Sequence, residues 1–266
     1  MSHMKNRFFG KYYKFISDDG YTIALIVSNA NEGDMLQLVT PTKGYFIGDT
    51  KSVIISDNNI HIDIHQDDIS LVGDLSLGEL HPLSKKIMGP FTYLPMECRH
   101  EIYSMYHTVN GSLLLNDRKL MFTDARGYIE GDSGTNFPKK YIWYNSVTDK
   151  GTVTLAIATI PLLGFINFTG LLCFIKTKDK EYRFTTYNMG KIVSKSEKEI
   201  IIRKGKYRFI LSIPYIGGHD LKAPIKGDMV RYIKENINVP TSYKLTYKEE
   251  TILEVDDPLS SLEYMY

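Results

Sequence analysis

The chain has 266 residues, enough for one large β domain or two of roughly 130. Its 32 lysines and arginines nearly balance 31 aspartates and glutamates, and a formal net charge of +1 supplies no overall electrostatic footprint for nucleic acid or anionic lipid. The two cysteines, Cys98 and Cys173, stand far apart; they indicate reduced thiols in a cytosolic setting and argue against a disulfide scaffold or a zinc site.

The opening M-S-H-M-K-N-R carries no apolar core of a signal peptide, and Met1 to His3 read as a cloning remnant before Met4. With 19 tyrosines, 12 phenylalanines, and Ile, Val and Thr throughout, the composition favours a pleated, half-buried backbone. The expectation is an all-β protein.

From Phe8, two apolar segments flank Ser17 to Gly20, and Asp-Gly between such runs signals a hairpin. Met35 to Thr40, Gly44 to Ile47 and Ser52 to Ser56 follow as short strands of an antiparallel meander. Ile60 to His65 alternates strictly, with three isoleucines on one face and His61, Asp63 and His65 on the other. His-x-His on a strand can address one metal ion. No third ligand cluster stands at a recognisable spacing, so the solvated face of a strand is the expected reading. Ile69 to Leu80 alternates again, and the Gly-Pro passage from Lys86 to Pro95 reads as a fixed loop closing or crossing one end of the first sheet. Beyond it, His100 and His107 are candidate acid/base groups. Turns are expected at Val109 to Ser112 and at Asn116-Asp117.

The densest stretch is Gly127 to Ser146, G-Y-I-E-G-D-S-G-T-N-F-P-K-K-Y-I-W-Y-N-S. It holds the only tryptophan and two carboxylates two residues apart, arranged as an acidic strand, a glycine-rich turn and an aromatic strand. If the first strand runs through Glu130 and Asp132, both share a face with Tyr128; after the turn, Tyr141, Trp143 and Asn145 share another. The uncharged run Gly151 to Ile175 is long enough to cross a bilayer. Pro161, Gly164, Asn167 and Gly170 interrupt it, so two buried strands joined near Pro161 to Gly164 are expected, with the Ile160 to Phe165 tip as the candidate point of peripheral membrane contact. Short strands continue to Pro214. Asp228 to Asn236 fits either a helical or a strand stripe, and the end forms a hairpin turning at Lys248 to Thr251.

From about Phe8 onward the chain resembles the bacterial branch of the tocopherol cyclase family. Ordered blocks carry the likeness: M-G-P-F at Met88, M-E-C-R-H at Met96, S-M-Y-H at Ser104, N-G-S-L at Asn110, the Gly127 block, and L-K-A-P-I-K-G-D-M-V-R-Y-I-K-E at Leu221. The corresponding plant text resembles Y-x-E-x-x-W-G-x-x-F-P-x-x-W-x-W-x-Q. Tyr128, Glu130, Gly134, Phe137, Pro138 and Trp143 match it, while Ser133, Tyr141 and Asn145 depart from it. The resemblance implies two consecutive lipocalin-like antiparallel β-barrels or β-sandwiches, here residues 4–134 and 135–266, with an elongated apolar cavity; the Leu221 block then becomes a strand.

The activity it implies is cofactor-free, acid-catalysed cyclisation or hydration of an apolar prenylated substrate. An acid for that step must stay protonated near neutrality, which an apolar wall or a second carboxylate favours. Glu130 and Asp132 are the expected catalytic groups, with Tyr128, Tyr141, Trp143, Asn145 and His100 binding substrate. An indole beside the reacting carbon would stabilise a cation by ~2 kcal/mol when desolvated. No metal or other cofactor is expected. The partner is an apolar small molecule such as a prenylated quinol, an isoprenoid or a lipid, with no nucleic acid. A lipocalin-like carrier without catalysis is the alternative.

Overall fold

The computed structural model describes residues 6–48, 50–66, 68–162, 166–214 and 217–266. One sheet contains β1 (Phe8–Ile16), β2 (Thr22–Ala30), β3 (Gly33–Val39), β4 (Gly44–Phe46), β5 (Val53–Ser56), β6 (Asn59–Gln66), β7 (Ile69–Leu77), β8 (Cys98–Leu115) and β9 (Arg118–Gly134). Their spatial order is β4-β3-β2-β1-β9-β8-β7-β6-β5, with the first strand and the last joined antiparallel from Phe8 opposite Gly134 to Ile16 opposite Arg126. The other sheet contains β10 (Lys140–Thr148), β11 (Gly151–Leu162), β12 (Ile166–Lys176), β13 (Glu181–Thr185), β14 (Lys191–Lys195), β15 (Glu199–Lys204), β16 (Tyr207–Ser212), β17 (His219–Ile225), β18 (Asp228–Tyr247) and β19 (Glu250–Met265). It repeats the same idea, in the order β13-β12-β11-β10-β19-β18-β16-β15-β14, with β17 paired to β18. The all-β expectation is met, and 228–236 is strand. Among the described residues no helix is long and apolar enough to cross a membrane.

The chain forms two compact units. The first takes the chain up to Leu83 with Cys98–Phe137 and Asp220–Tyr232; the second takes Ser84–Glu97, Pro138–His219 and Ile233–Tyr266.

Period-two alternation builds the core of the first unit. On β6, Ile60, Ile62 and Ile64 are fully buried while His61, Asp63 and His65 are exposed. Each such isoleucine contributes about 1.5–3 kcal/mol over an exposed one. Tyr13, Phe15, Leu25, Leu36, Leu71, Val109 and Ile129 complete the same core. The sheet curls so that its far strands approach: Gln66 Nε2 donates to the Ile47 carbonyl at 3.0 Å, and Lys43 pairs with Asp68. In the second unit Ile142, Tyr144, Leu155, Phe184, Phe209 and Leu245 form the core, and Lys204 Nζ donates to the Arg183 carbonyl at 3.0 Å where the outer strands meet. In both sheets the alternate residues of the long strands point to a second face.

Two local expectations are overturned. Val109 to Ser112 is no turn, because β8 runs on to Leu115 with a register shift between Val109 and Gly111. Gly111 has φ of 137°, and a Cβ there would lie 2.2 Å from the Asp74 carbonyl oxygen, so the Asn-Gly pair marks a bulge pressed against β7. The Lys86 to Pro95 loop also belongs with the second unit and not the first sheet. Tyr187 holds it there: its hydroxyl donates to the Ile87 carbonyl at 2.8 Å, and its ring occupies the space above Gly89.

Candidate functional site

On β9, Ala125 and Ile129 face the core, which sends Tyr128, Glu130 and Asp132 to the second face of the sheet. The flanking strands bring their own side chains to that face. Register places Lys14 opposite Tyr128 and Tyr12 opposite Glu130 on one side. On the other side it places Ile102 opposite Glu130 and His100 opposite Asp132. Directly opposed residues have Cβ atoms about 5 Å apart, so one three-strand patch gathers a histidine, two carboxylates, two tyrosines and a lysine.

The contacts form a chain. Tyr128 donates its hydroxyl to Glu130 Oε2 at 2.5 Å. The same oxygen lies 3.4 Å from His100 Nε2, and the opposite ring nitrogen, Nδ1, lies 3.0 Å from Asp132 Oδ1. Cys98 Sγ reaches Asp132 Oδ1 at 3.5 Å. Burial is graded along the chain: Tyr128 and Lys14 are fully buried, Glu130 is 4% exposed, and the Asp132 side chain retains 24%. Next to the more open end, Phe8, Ala30, Met35 and Met229 form an apolar cluster against which Cys98 and Phe137 pack. A polar relay therefore adjoins a buried apolar cluster within one unit.

Such an arrangement can pass a proton. An imidazole fixed by a carboxylate on one nitrogen can exchange a proton with a second carboxyl on the other. His100, Glu130 and Asp132 also bring ligand atoms within 4.8 Å of one another, close enough for a metal ion. Each ring nitrogen faces a different carboxylate, however, so an ion would have to take one nitrogen from its present partner.

The remaining sequence candidates fall elsewhere. Tyr141, Trp143 and Asn145 lie in the second unit on β10, on the face opposite its core residues Ile142 and Tyr144. There Tyr141 donates to the Glu263 carboxylate, Trp143 pairs in register with Glu263, and Asn145 Nδ2 donates to the Val153 carbonyl at 3.3 Å. His107 sits inside the first unit, fully buried over Gly127, with Nδ1 3.1 Å from Ser104 Oγ. Burial, with His81 nearby, pushes its imidazole down to about 4. On the outer face, His61 Nδ1 pairs with Asp74 at 2.8 Å and His65 Nε2 with Asp63 at 3.0 Å, so the two rings take separate carboxylates. The Ile160 to Phe165 tip lies partly outside the described residues.

Sequence reading missed Tyr12, Lys14, Glu235 and Glu263. Lys14 stands between Tyr13 and Phe15, both core residues, and nothing local marks it as buried. Glu235 and Glu263 are opposed in register although 28 positions apart, which only the β18–β19 pairing reveals.

No protein-family model matches the sequence, and no curated protein matches it. Solved structures do resemble it. Kievitone hydratase from Nectria haematococca is similar over 98% of this chain and 90% of its own, at 9% identity and a TM-score of 0.56. CghA with Sch210972 is similar over 97% and 87%, at 6% identity and 0.61. An AttH candidate from Nitrosomonas europaea is similar over 98% and 93%, at 10% identity and 0.50. At these identities the likeness shows the fold, a pair of lipocalin-like antiparallel sheets.

Proposed function

We propose that this chain is a tocopherol cyclase-like catalyst of cofactor-free, acid-initiated cyclisation or hydration acting on an apolar prenylated molecule. The observation that carries this reading is the His100 ring held between Asp132 and Glu130, with the Tyr128 hydroxyl on the same Glu130 oxygen that His100 approaches. The matched text around Tyr128, Glu130 and Phe137-Pro138 agrees with it. Fold likeness to a hydratase and to CghA supports it coarsely.

In this reading Glu130 gives its proton to one carbon of a trisubstituted alkene, and the new C–H bond leaves a tertiary cation on the other. A phenol oxygen of the substrate closes onto that cation, or a water adds to it. The proton released by that oxygen returns to Glu130, so the catalyst is regenerated and no oxidant is needed. Glu130 is 4% exposed and stands in register beside Tyr12 and Ile102, so bulk water has little access to the acid. His100, fixed by Asp132, exchanges protons with Glu130, and Tyr128 orients the acid.

The test is incubation with a prenylated hydroquinone in D₂O, with mass analysis for a ring-closed isomer or a water adduct carrying one deuterium at the former alkene carbon. Glu130→Gln should lower turnover by roughly a hundredfold or more while leaving ligand retention unchanged. Equal turnover in that variant defeats the reading. Native mass spectrometry showing a co-purified isoprenoid or lipid, with no turnover of any prenylated probe, identifies a carrier.

A further inference from the structure

We propose that the second unit carries a docking surface for anionic bilayers, built where its Gly-Pro loop meets the paired strands β11 and β12 at Ile160 and Phe168. Three observations combine. The loop residues Ile87 to Met96, I-M-G-P-F-T-Y-L-P-M, hold no charge, and neither does β12 from Ile166 to Ile175. Aromatic contacts fasten the two together: the Phe91 ring meets Phe168 at 5.8 Å and Tyr187 at 5.5 Å, both edge to face. Phe168 in turn opposes Ile160 in register, and both reach over Gly170. Ile87 and Met88 are buried, while Tyr93 and Leu94 of the loop and Met189, two residues beyond Tyr187, turn outward at 90%, 39% and 72% exposure.

A loop of this composition would ordinarily bury such side chains. Pro90 and Pro95 bracket it, and a 3-10 turn over Gly89–Tyr93 fixes its course, so Tyr93 and Leu94 are held outward by the backbone. Tyrosine at the crest suits the water–lipid boundary, where an apolar body and a polar tip are both satisfied.

Charge selects the occupant. Lys85 and Lys86 are exposed at the start of the loop, and Lys191 is exposed two residues beyond Met189. Glu181, whose carboxylate contacts the start of the loop at Ser84, is engaged by Arg183 Nε at 2.6 Å, and Glu97 is exposed at the loop's far end. An apolar crest with a mostly basic rim matches a surface of anionic headgroups over acyl chains. The balanced charge of the whole chain conceals this, because it averages over both units. The inference stands independently of the chemistry assigned to Glu130.

Co-sedimentation of the full chain with vesicles of phosphatidylcholine alone, and of phosphatidylcholine with phosphatidylserine, tests it. Binding is expected to the anionic vesicles and to fall with added salt. The Tyr93→Glu/Leu94→Glu double variant should weaken it about tenfold or more, and Lys85→Glu/Lys86→Glu should weaken it while removing the preference for phosphatidylserine. Both changes are at exposed positions, and an unchanged circular dichroism spectrum will show that the fold is kept. No binding to either vesicle, or equal binding by the crest variant, overturns the proposal. So does sedimentation equilibrium showing a dimer that the crest variant dissolves, since a second copy would then cover the patch.

Discussion

His100 and Asp132 oppose one another across β8 and β9, with Nδ1 3.0 Å from Oδ1, and the ring's other nitrogen is thereby aimed at Glu130. Asp132 thus positions the imidazole, while Glu130 is the more deeply buried of the two carboxylates. Asp132→Asn keeps the shape but removes the charge that orders the ring. Turnover of a prenylated hydroquinone should fall roughly ten- to a hundredfold with its KM little changed. A fall in binding alone would remove Asp132 from the relay.

Tyr128→Phe deletes the hydroxyl that donates to Glu130 Oε2. A donor to a carboxylate favours its charged form, so its loss favours the protonated form. The alkaline limb of the pH–rate profile should therefore move to higher pH. Movement in the opposite sense would show that the hydroxyl does not act on Glu130.

Gly127 lies opposite His107, and a Cβ at this position would stand 2.2 Å from His107 Nε2. Gly127→Ala should cost about 2 kcal/mol or more of stability in urea unfolding. In the double variant with His107→Ala the added methyl has room, so the two penalties should fall well short of adding. Additive penalties would mean that the ring is not what excludes the methyl.

His107 also makes stability depend on pH. Its folded value of about 4 lies below the ordinary 6.5, so between these limits the unfolded chain binds the proton that the folded chain refuses. The contribution is complete above pH 6.5 and is lost as pH falls toward 4, by about 3 kcal/mol in all. His107→Gln should flatten that part of the stability profile. An unchanged slope would assign the acid sensitivity to other groups.

The two cysteines should differ in reactivity. Cys173 is fully buried, and burial pushes its thiol up; Cys98 is partly exposed. A thiol reagent should modify one group in the native protein and both in denaturant. Rapid modification of two thiols under native conditions would place Cys173 outside the core.

Much of the fold was legible because its causes are local. Alternation of Ile60, Ile62 and Ile64 with His61, Asp63 and His65 set both the strand and its buried face. The hairpin expected to turn at Lys248 to Thr251 was also readable, although its turn is confined to Lys248-Glu249, both at positive φ between two alternating strands. The same local rule put Tyr128, Glu130 and Asp132 on one face of β9. Local rules failed where a glycine served a neighbouring strand, as at Gly111, and where a loop was claimed by a distant side chain, as Tyr187 claims Ile87.

What the sequence determined by itself was the all-β class, most strand positions, and the acidic strand as a place where chemistry could gather. Tertiary structure alone decided which groups meet there. Register between β1, β8 and β9 set His100 opposite Asp132, Tyr12 opposite Glu130 and Lys14 opposite Tyr128, while carrying His107 to the core side. Side-chain alternation is a property of a few consecutive residues, whereas register comes from packing whole strands against one another. A shift by a single residue would have turned every one of these groups to the other face.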